Sequence, residues 1–594
     1  MKMNATKLLS MLLAVSLMAA LAACGATSTQ SDTSSANSDN TSSAAAADDS
    51  PVYGGKLVSY HSEFYNQFDP SVNTQVNTVS FYCDMLWNID WSIDRTDFNY
   101  GSSYIDSKYL TGQIAKEWTI ADDFSSMTVT LRDDVYFQDK TSVGMDSKYD
   151  VYQGRQLVAS DVKWTYDRLL GLDGVAIVQE DQTSWPTILH MLNSVEVIDD
   201  QTVKFSFNTT DELSVNNFMC AFVNIGGPEW DTLTDEQQSD WHYADGTGPF
   251  ILTDYTGDNT MTFTKNPKYW DTDADGNQLP YLDEVELVYM ADSATMLSSF
   301  IAGDLQILAA NNDLISTDQA TQLKASLSAD QYEQYTYYGS CIGVGLKQGT
   351  NGLAPLADEK VREAMQYAID VSAISQYAGY EYDGVESMLN GCFAQGTAWN
   401  DVDAWGDDLI NSYTTYDPDK ARQLLEEAGY GDGFSFDVTL FQKMPVEQFQ
   451  LAAQYLAVVG ITMNITIVQS PNEMTAIGMD PDNPGCQFCS FGCDSVSFAD
   501  NTIPSSGTNN PIKQNNPEIE TLFNTFYTST TVEDQVAAAK TLDQSFMSNH
   551  YILYVSYAAQ SSNWYRSNVH GLNGERVTQC YYMGYMFART WVTD

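Results

Sequence analysis

Lys2 and Lys7 precede an apolar stretch over residues 8–23 that is interrupted only by Ser10 and Ser16 and ends in Leu21-Ala22-Ala23-Cys24-Gly25. A stretch of about 16 residues falls short of the roughly 20 that an α-helix needs to cross a bilayer, so it reads as a secretion signal and not as a permanent span. The segment that follows, residues 25–50 (GATSTQSDTSSANSDNTSSAAAADDS), offers almost nothing that a core could bury, and chain entropy keeps such a segment open as a tether. Whatever folds must therefore be made from residue 51 onward, outside the cytoplasm.

The roughly 545 residues that remain are enough for two or more cores, and no second apolar run approaches spanning length. Loss of Lys2 and Lys7 with the signal takes the formal charge from −52 to about −54. Such a surface repels phosphate backbones and anionic headgroups, which argues against nucleic acid and against electrostatic membrane docking. It favours solubility, and it also suits a cationic ligand.

From residue 51 the chain alternates short β-patterned runs with helical ones, the pattern of α/β lobes. Strands are expected over 56–60, 127–132, 195–198, 203–207, 285–290, 436–441 and 461–468. Ser160, Asp358 and Asp417 are expected to cap helices, with Pro418 in a first turn and Gly429 as a left-handed stop. Setting Cys24 aside leaves Cys83, Cys220, Cys341, Cys392, Cys486, Cys489, Cys493 and Cys580; the cluster at 486, 489 and 493 is open to a local disulfide, a metal or free thiols. The stretch DTDADGN (271–277) starts like a calcium loop, but its twelfth position is Leu282 where a bidentate Glu is needed. A solvated surface loop is the better reading, and no cofactor or metal is expected.

Two resemblances add to this. Residues 21–24 resemble the lipobox of bacterial lipoproteins, which implies cleavage before Cys24 and its acylation. Five segments then resemble, in order, the extracellular solute-binding proteins of family 5, the oligopeptide, dipeptide and nickel receptors of ATP-binding-cassette importers. They are QIAKEW (113–118) with TVTLRDDVYF (128–137); residues 157–169; GTGPF (246–250) with KNPKYW (265–270); DEKVREAMQYAID (358–370); and residues 416–430 with their LLEEAG run. Trp118, Tyr269 and Trp270 read as core packing, and GTGPF as a turn that needs its glycines. These motifs identify a fold without locating a site.

The resemblance implies a two-lobed α/β periplasmic-binding-protein-like fold of type II, the large peptide-binding class, with hinge strands between the lobes and ligand trapped on closure. The implied divisions are a signal peptide at 1–23, the tether at 24–50, a first lobe with an extra N-terminal subdomain at 51–338, a second lobe at 339–556 and a return at 557–594. The crossings are expected near 338–346 and 554–558. In peptide-binding members an aromatic residue followed three positions later by Asp lines the cleft, and the carboxylate holds the peptide ammonium. By that carry-over the ligand residues are Phe491, Cys493 and Asp494, with Phe491 standing where Trp is usual. Phe64, Tyr65, Tyr554 and Tyr557 are further cleft candidates, and Lys443 is the candidate for the ligand carboxylate. An ammonium leaving water needs a charged, hydrogen-bonding partner, and an aromatic face adds a cation-π contact.

The implied protein is a monomeric lipoprotein on the outer face of the cell membrane, with a short peptide, a permease and its ATPase subunits as partners and no nucleic acid. Within the family a receptor for a nickel complex, an oligosaccharide or a peptide signal is the alternative. A secreted hydrolase is weaker, because the chain contains neither HExxH nor GxSxG, and GTGPF lacks the lysine of a phosphate loop.

Overall fold

The structure, a computed structural model, describes residues 50–594 apart from 62–67, 72–75, 92, 94–106, 173–190, 209, 222, 258, 309–314, 316, 349–351, 381, 383, 395–396, 443, 481, 491, 494–495, 508, 573–582 and 594. Residues 1–49, with the expected secretion signal, Cys24 and nearly all of the expected tether, lie outside the described residues. Among those described, no helix is long and apolar enough to cross a membrane.

A ten-stranded sheet runs through the body in the order Ile461–Val468, Phe434–Phe441, Cys486–Cys489, Tyr332–Gly345, Ile552–Arg566, Ile307–Leu308, Lys56–Tyr60, Glu284–Val288, Thr260–Lys265 and Phe250–Tyr255. Its two central members are long, 14 residues for Tyr332–Gly345 and 15 for Ile552–Arg566, and rich in the tyrosine and β-branched residues that suit a pleated surface. Only the ends of the two are shared with different neighbours. Residues 332–338 pair with 560–566 beside Ile307–Leu308, whereas 341–345 pair with 552–558 beside Cys486–Cys489. Between the pairs Tyr338–Gln560 and Cys341–Ala558 the register shifts, so that Gly339 and Ser340 together face Ala559. Such a bulge bends a strand and weakens its ladder locally.

The bulge divides the cores. The largest core gathers buried residues from Leu57 to Ile307 and from Tyr565 to Trp591, and a smaller one around Phe300 and Leu323 packs on Trp564. The other large core takes its members from Cys341 to Ala558. Each has a fully buried tryptophan, Trp230, Trp564 and Trp399 respectively. Truncating a residue of that size in a core costs about 3–5 kcal/mol. A second, four-stranded antiparallel sheet, ordered Ala115–Ile120, Ser126–Leu131, Thr202–Phe207 and Leu192–Asp199, belongs to the first core.

Two of the family-like motifs meet at one buried carboxylate. Asp84 accepts from Trp270 Nε1 at 2.9 Å, Tyr269 Oη at 3.2 Å and Gln113 Nε2 at 2.7 Å, which ties KNPKYW to QIAKEW. Burial pushes this carboxyl up to about 6 despite those donors. The glycines of GTGPF serve close approach: a Cβ on Gly246 would meet Tyr82 O at 2.2 Å, and one on Gly248 would meet Phe81 O at 2.7 Å. Asp358 and Asp417 cap Glu359–Tyr367 and Pro418–Glu427 as expected, and Gly429 has φ of 84°. Ser160 does not cap; Ala159–Leu170 begins one residue before it, and the Asp161 carboxylate takes up the Val158 amide at 2.9 Å.

The seven described cysteines are free thiols. Cys486 and Cys489 stand three apart on one strand, so their side chains leave from opposite faces and the local disulfide is not formed.

Candidate functional site

The chain segment that follows the strand Cys486–Cys489 is wedged against the bulge. Gly492 lies so close to the first crossing strand that a Cβ there would be 2.2 Å from Ser340 Oγ and 3.6 Å from Ala394 Cα. The next residue forms a parallel bridge with Phe393: the Cys493 amide donates to the Cys392 carbonyl at 2.9 Å, and the Ala394 amide donates to the Cys493 carbonyl at 3.1 Å. Phe491 and Asp494 lie outside the described residues, but Gly492 and Cys493 between them are held to the crossing strand on one side and to residues 392–394 on the other.

Behind that rung sits a second buried carboxylate. Asp543, on the helix Val532–Ser548, is 1% exposed; its Oδ1 accepts from the Cys392 amide at 2.7 Å and its Oδ2 from Trp405 Nε1 at 2.9 Å. Gly391 makes room for it, since a Cβ there would be 1.8 Å from Oδ1. Among the described residues no cation neutralises this carboxylate; N–H donors hold it, and burial pushes it up to about 6. Nothing in residue type or spacing marks Asp543 among 79 acidic residues, so sequence reasoning missed it.

The second crossing strand carries the tyrosines expected at the cleft. Tyr554 is 1% exposed; its hydroxyl donates to the Asn390 carbonyl at 2.5 Å and its ring lies 5.0 Å from Tyr413, so it is part of the second core. Tyr557 is also buried, with its ring edge-on to Tyr382 at 5.6 Å. Half-buried Tyr382 and Tyr380 continue that aromatic line: the Tyr382 hydroxyl donates to the Ala558 carbonyl at 2.9 Å, and the two rings are 6.4 Å apart. Gln448 joins them to the strand by accepting from Ser556 Oγ at 2.7 Å. The tyrosine-rich run YAGYEY (377–382) was the available signal for this wall.

The Cys493 thiol is fully buried and meets Thr502 Oγ1 at 3.1 Å, so it packs inward. Burial also pushes the Cys341 thiol up to about 12 and raises Cys489, which leaves these sulfurs protonated and poor nucleophiles. Phe64, Tyr65 and Lys443 lie outside the described residues.

The acidic loop 271–277 is internally satisfied. Asp271 accepts from Arg589 at 2.6 Å, and Asp273 accepts from the Asp275 and Asn277 amides, the Asn277 side chain and the Tyr281 hydroxyl. Among the described residues no group of three or more His, Cys, Asp and Glu is arranged to hold a metal ion.

Residues 110–483 match the bacterial extracellular solute-binding proteins, family 5 Middle, and these are more than half of the 594 residues. The chain is 24% identical over 487 residues to heme-binding protein A of Haemophilus influenzae, covering 75% of this chain and 81% of that protein. It is 25% identical over 462 residues to the glutathione-binding protein GsiB of Escherichia coli, covering 77% and 80%. The fold superposes on the periplasmic binding protein DppA of Helicobacter pylori in complex with peptide STSA with a TM-score of 0.65 at 18% identity, over 91% of this chain and 99% of that one. The architecture is therefore the two-lobed α/β fold of periplasmic binding proteins with strands crossing between the lobes, and the chain belongs to the bacterial extracellular solute-binding proteins, family 5, the solute-binding components of ATP-binding-cassette importers.

Proposed function

We propose that this protein captures short peptides between its two lobes, closes on them about the bulge in the crossing strands, and delivers them to a permease driven by ATPase subunits. The observation that supports the reading is the seating of Gly492 close against Ser340 at the bulge and of Cys493 on residues 392–394, the two described residues that stand between Phe491 and Asp494 in the sequence. Asp494 receives the peptide's ammonium and Phe491 lies against its first residue. A carboxylate in a closing cleft binds that cation far more strongly than it would in water, since the alternative is an unpaired buried charge. Tyr380 and Tyr382 offer an adaptable aromatic wall for side chains.

Two further observations support a peptide. The relatives include a glutathione-binding protein, whose ligand is a tripeptide with a free ammonium, and a fold neighbour has a peptide bound. The tether and Cys24 are read as a lipid anchor on the outer face of the membrane, where the body works as a monomer.

Mass spectrometry of small molecules released from the denatured, purified protein tests this reading. Short peptides are expected, and Asp494→Ala is expected to lose them while the far-ultraviolet circular dichroism spectrum is unchanged. Release of heme, or full retention of peptide by Asp494→Ala, overturns the assignment. Acylation of Cys24 is checked separately by the mass of the mature N-terminal peptide.

A further inference from the structure

We infer that Asp543 is a positioning residue of the ligand site, holding the rung 391–394 on which Cys493, the residue before Asp494, is seated; the inference rests on the peptide-binding reading of Asp494. The connection is short and continuous. Asp543 Oδ1 takes the Cys392 amide at 2.7 Å, the carbonyl of the same residue takes the Cys493 amide at 2.9 Å, and the Cys493 carbonyl takes the Ala394 amide at 3.1 Å. Asp494 is the next residue along the chain.

The local chemistry argues for a purpose beyond packing. A carboxylate with 1% exposure and N–H donors in place of a cation is costly to bury, and an apolar residue of similar volume would fill the space more cheaply. What an apolar residue cannot do is grip the backbone of 392 from behind. Residue 391 is accordingly a glycine, because a Cβ would lie within 1.8 Å of Oδ1 and 2.3 Å of Oδ2 and would expel the carboxylate. Cys493 is fixed at a second point by its thiol on Thr502, and Gly492 lies so close to Ser340 that a Cβ would not fit. Cys493, the residue before Asp494, is thus held at its amide, its carbonyl and its thiol, and a preorganised site binds more tightly because less ordering remains to be done.

The two oxygens of Asp543 do different work, which makes the role separable from stability. Oδ1 accepts from the Cys392 amide of the rung, and Oδ2 accepts from Trp405 Nε1. Asp543→Asn turns one oxygen into a donor and removes the charge-assisted grip, and Trp405→Phe removes one hydrogen bond to the same carboxylate while leaving the rung intact. Hydrogen exchange read at single-residue level on the full chain, with and without the co-purified peptides, tests the proposal. In Asp543→Asn the Cys493 and Ala394 amides are expected to exchange at least about tenfold faster than in the parent, with peptide retention reduced about tenfold. In Trp405→Phe both are expected to stay at parental values even if the melting temperature falls.

Unchanged exchange at Cys493 and Ala394 in Asp543→Asn overturns the inference, as does an equal loss of peptide from Trp405→Phe. Should Asp543→Asn fail to fold, Gly391→Ala serves in its place, because it displaces the carboxylate without removing it, and the same two outcomes decide. If the parent protein carries no peptide at all, the functional reading fails on its own, while the exchange rates still report whether Asp543 holds the rung.

Discussion

His550 sits where the helix Val532–Ser548 hands over to the second crossing strand, and its ring sets an acid limit on the second core. It is 5% exposed, has φ of 49°, and stacks on Tyr413 with ring centroids 5.0 Å apart. Nδ1 faces the Ser548 carbonyl at 3.1 Å, and Nε2 faces Ser412 Oγ at 2.9 Å. The Ser412 hydroxyl also has the Leu409 carbonyl at 2.7 Å, so it has one proton for two acceptors, and a protonated ring would satisfy both. Two stronger effects oppose protonation: burial first, and then the positive charge of Arg362, whose Nε is bound to the adjacent Asn549 carbonyl. Together they push the imidazole from 6.5 down to about 3.

The sign follows directly. An unfolded chain takes up this proton near pH 6.5 and the folded chain refuses it until about pH 3, so the contribution to stability is whole above pH 6.5 and is lost as pH falls. A gap of roughly 3.5 units at about 1.4 kcal/mol each amounts to about 5 kcal/mol, of which about 3 kcal/mol is lost by pH 4. Asp84 and Asp543, raised to about 6, act in the opposite sense: their contribution is present below their unfolded value and is lost as pH rises through 6. A single stability curve therefore mixes the two, but its difference from that of His550→Asn isolates the histidine. Asn tolerates the left-handed backbone at this position, so the variant carries a constant penalty for lost packing and no titration. Urea unfolding followed by circular dichroism from about pH 8 to about pH 4 should show the gap between the two proteins constant above pH 6.5 and closing by about 1.4 kcal/mol per unit below it. A gap that stays constant across the range refutes the buried neutral imidazole.

Gly492→Ala is expected to abolish peptide retention, and Ser340→Gly in the same chain to restore most of it, because the new Cβ would meet Ser340 Oγ at 2.2 Å; a coupling of about 1–2 kcal/mol in the double-mutant cycle is the measurement. Trp270→Phe leaves Asp84 without its 2.9 Å donor and should lower unfolding free energy by about 1–3 kcal/mol, read from denaturant midpoints. Millimolar calcium should leave the melting temperature unchanged, because Asp271 and Asp273 already serve Arg589, Asn277 and Tyr281; a rise of several degrees would contradict that reading.

Local features were legible where local physics decides. The strand at 461–468 and the caps at Asp358 and Asp417 follow from alternation and from side chains that reach their own backbone. Ser160 misled because the helix starts before it, at Ala159, and the Asp161 carboxylate closes that start on the Val158 amide. The crossing strands were placed only by resemblance: their length comes from pairing Tyr332 with Arg566 across more than two hundred residues, and no window of sequence contains that information. Tyr554 shows the same limit, since the alternation of a strand does not say which of its two faces meets a cleft and which meets Tyr413 and Asn390.

The helix Val532–Ser548 links these observations, because it touches both sides of the molecule. Its cap, Thr531, follows Thr530, whose carbonyl accepts from the Leu213 amide at 3.4 Å, and Leu213 belongs to the helix Glu212–Met219 that packs on the first core. Further along, Asp543 grips the rung at 392, and just beyond its end His550 leads into the second crossing strand. The Leu213 amide lies in the first turn of its helix, where no intrahelical carbonyl is available, so the Thr530 carbonyl takes it without competing with the helix's own ladder. The rung is different: it is buried, fully paired and expensive to disturb. A single helix thus has a long backbone contact to the helix Glu212–Met219 at its start and a short, buried one to the rung at 392 further along, and on the proposed function the first is the one that opening of the lobes would break.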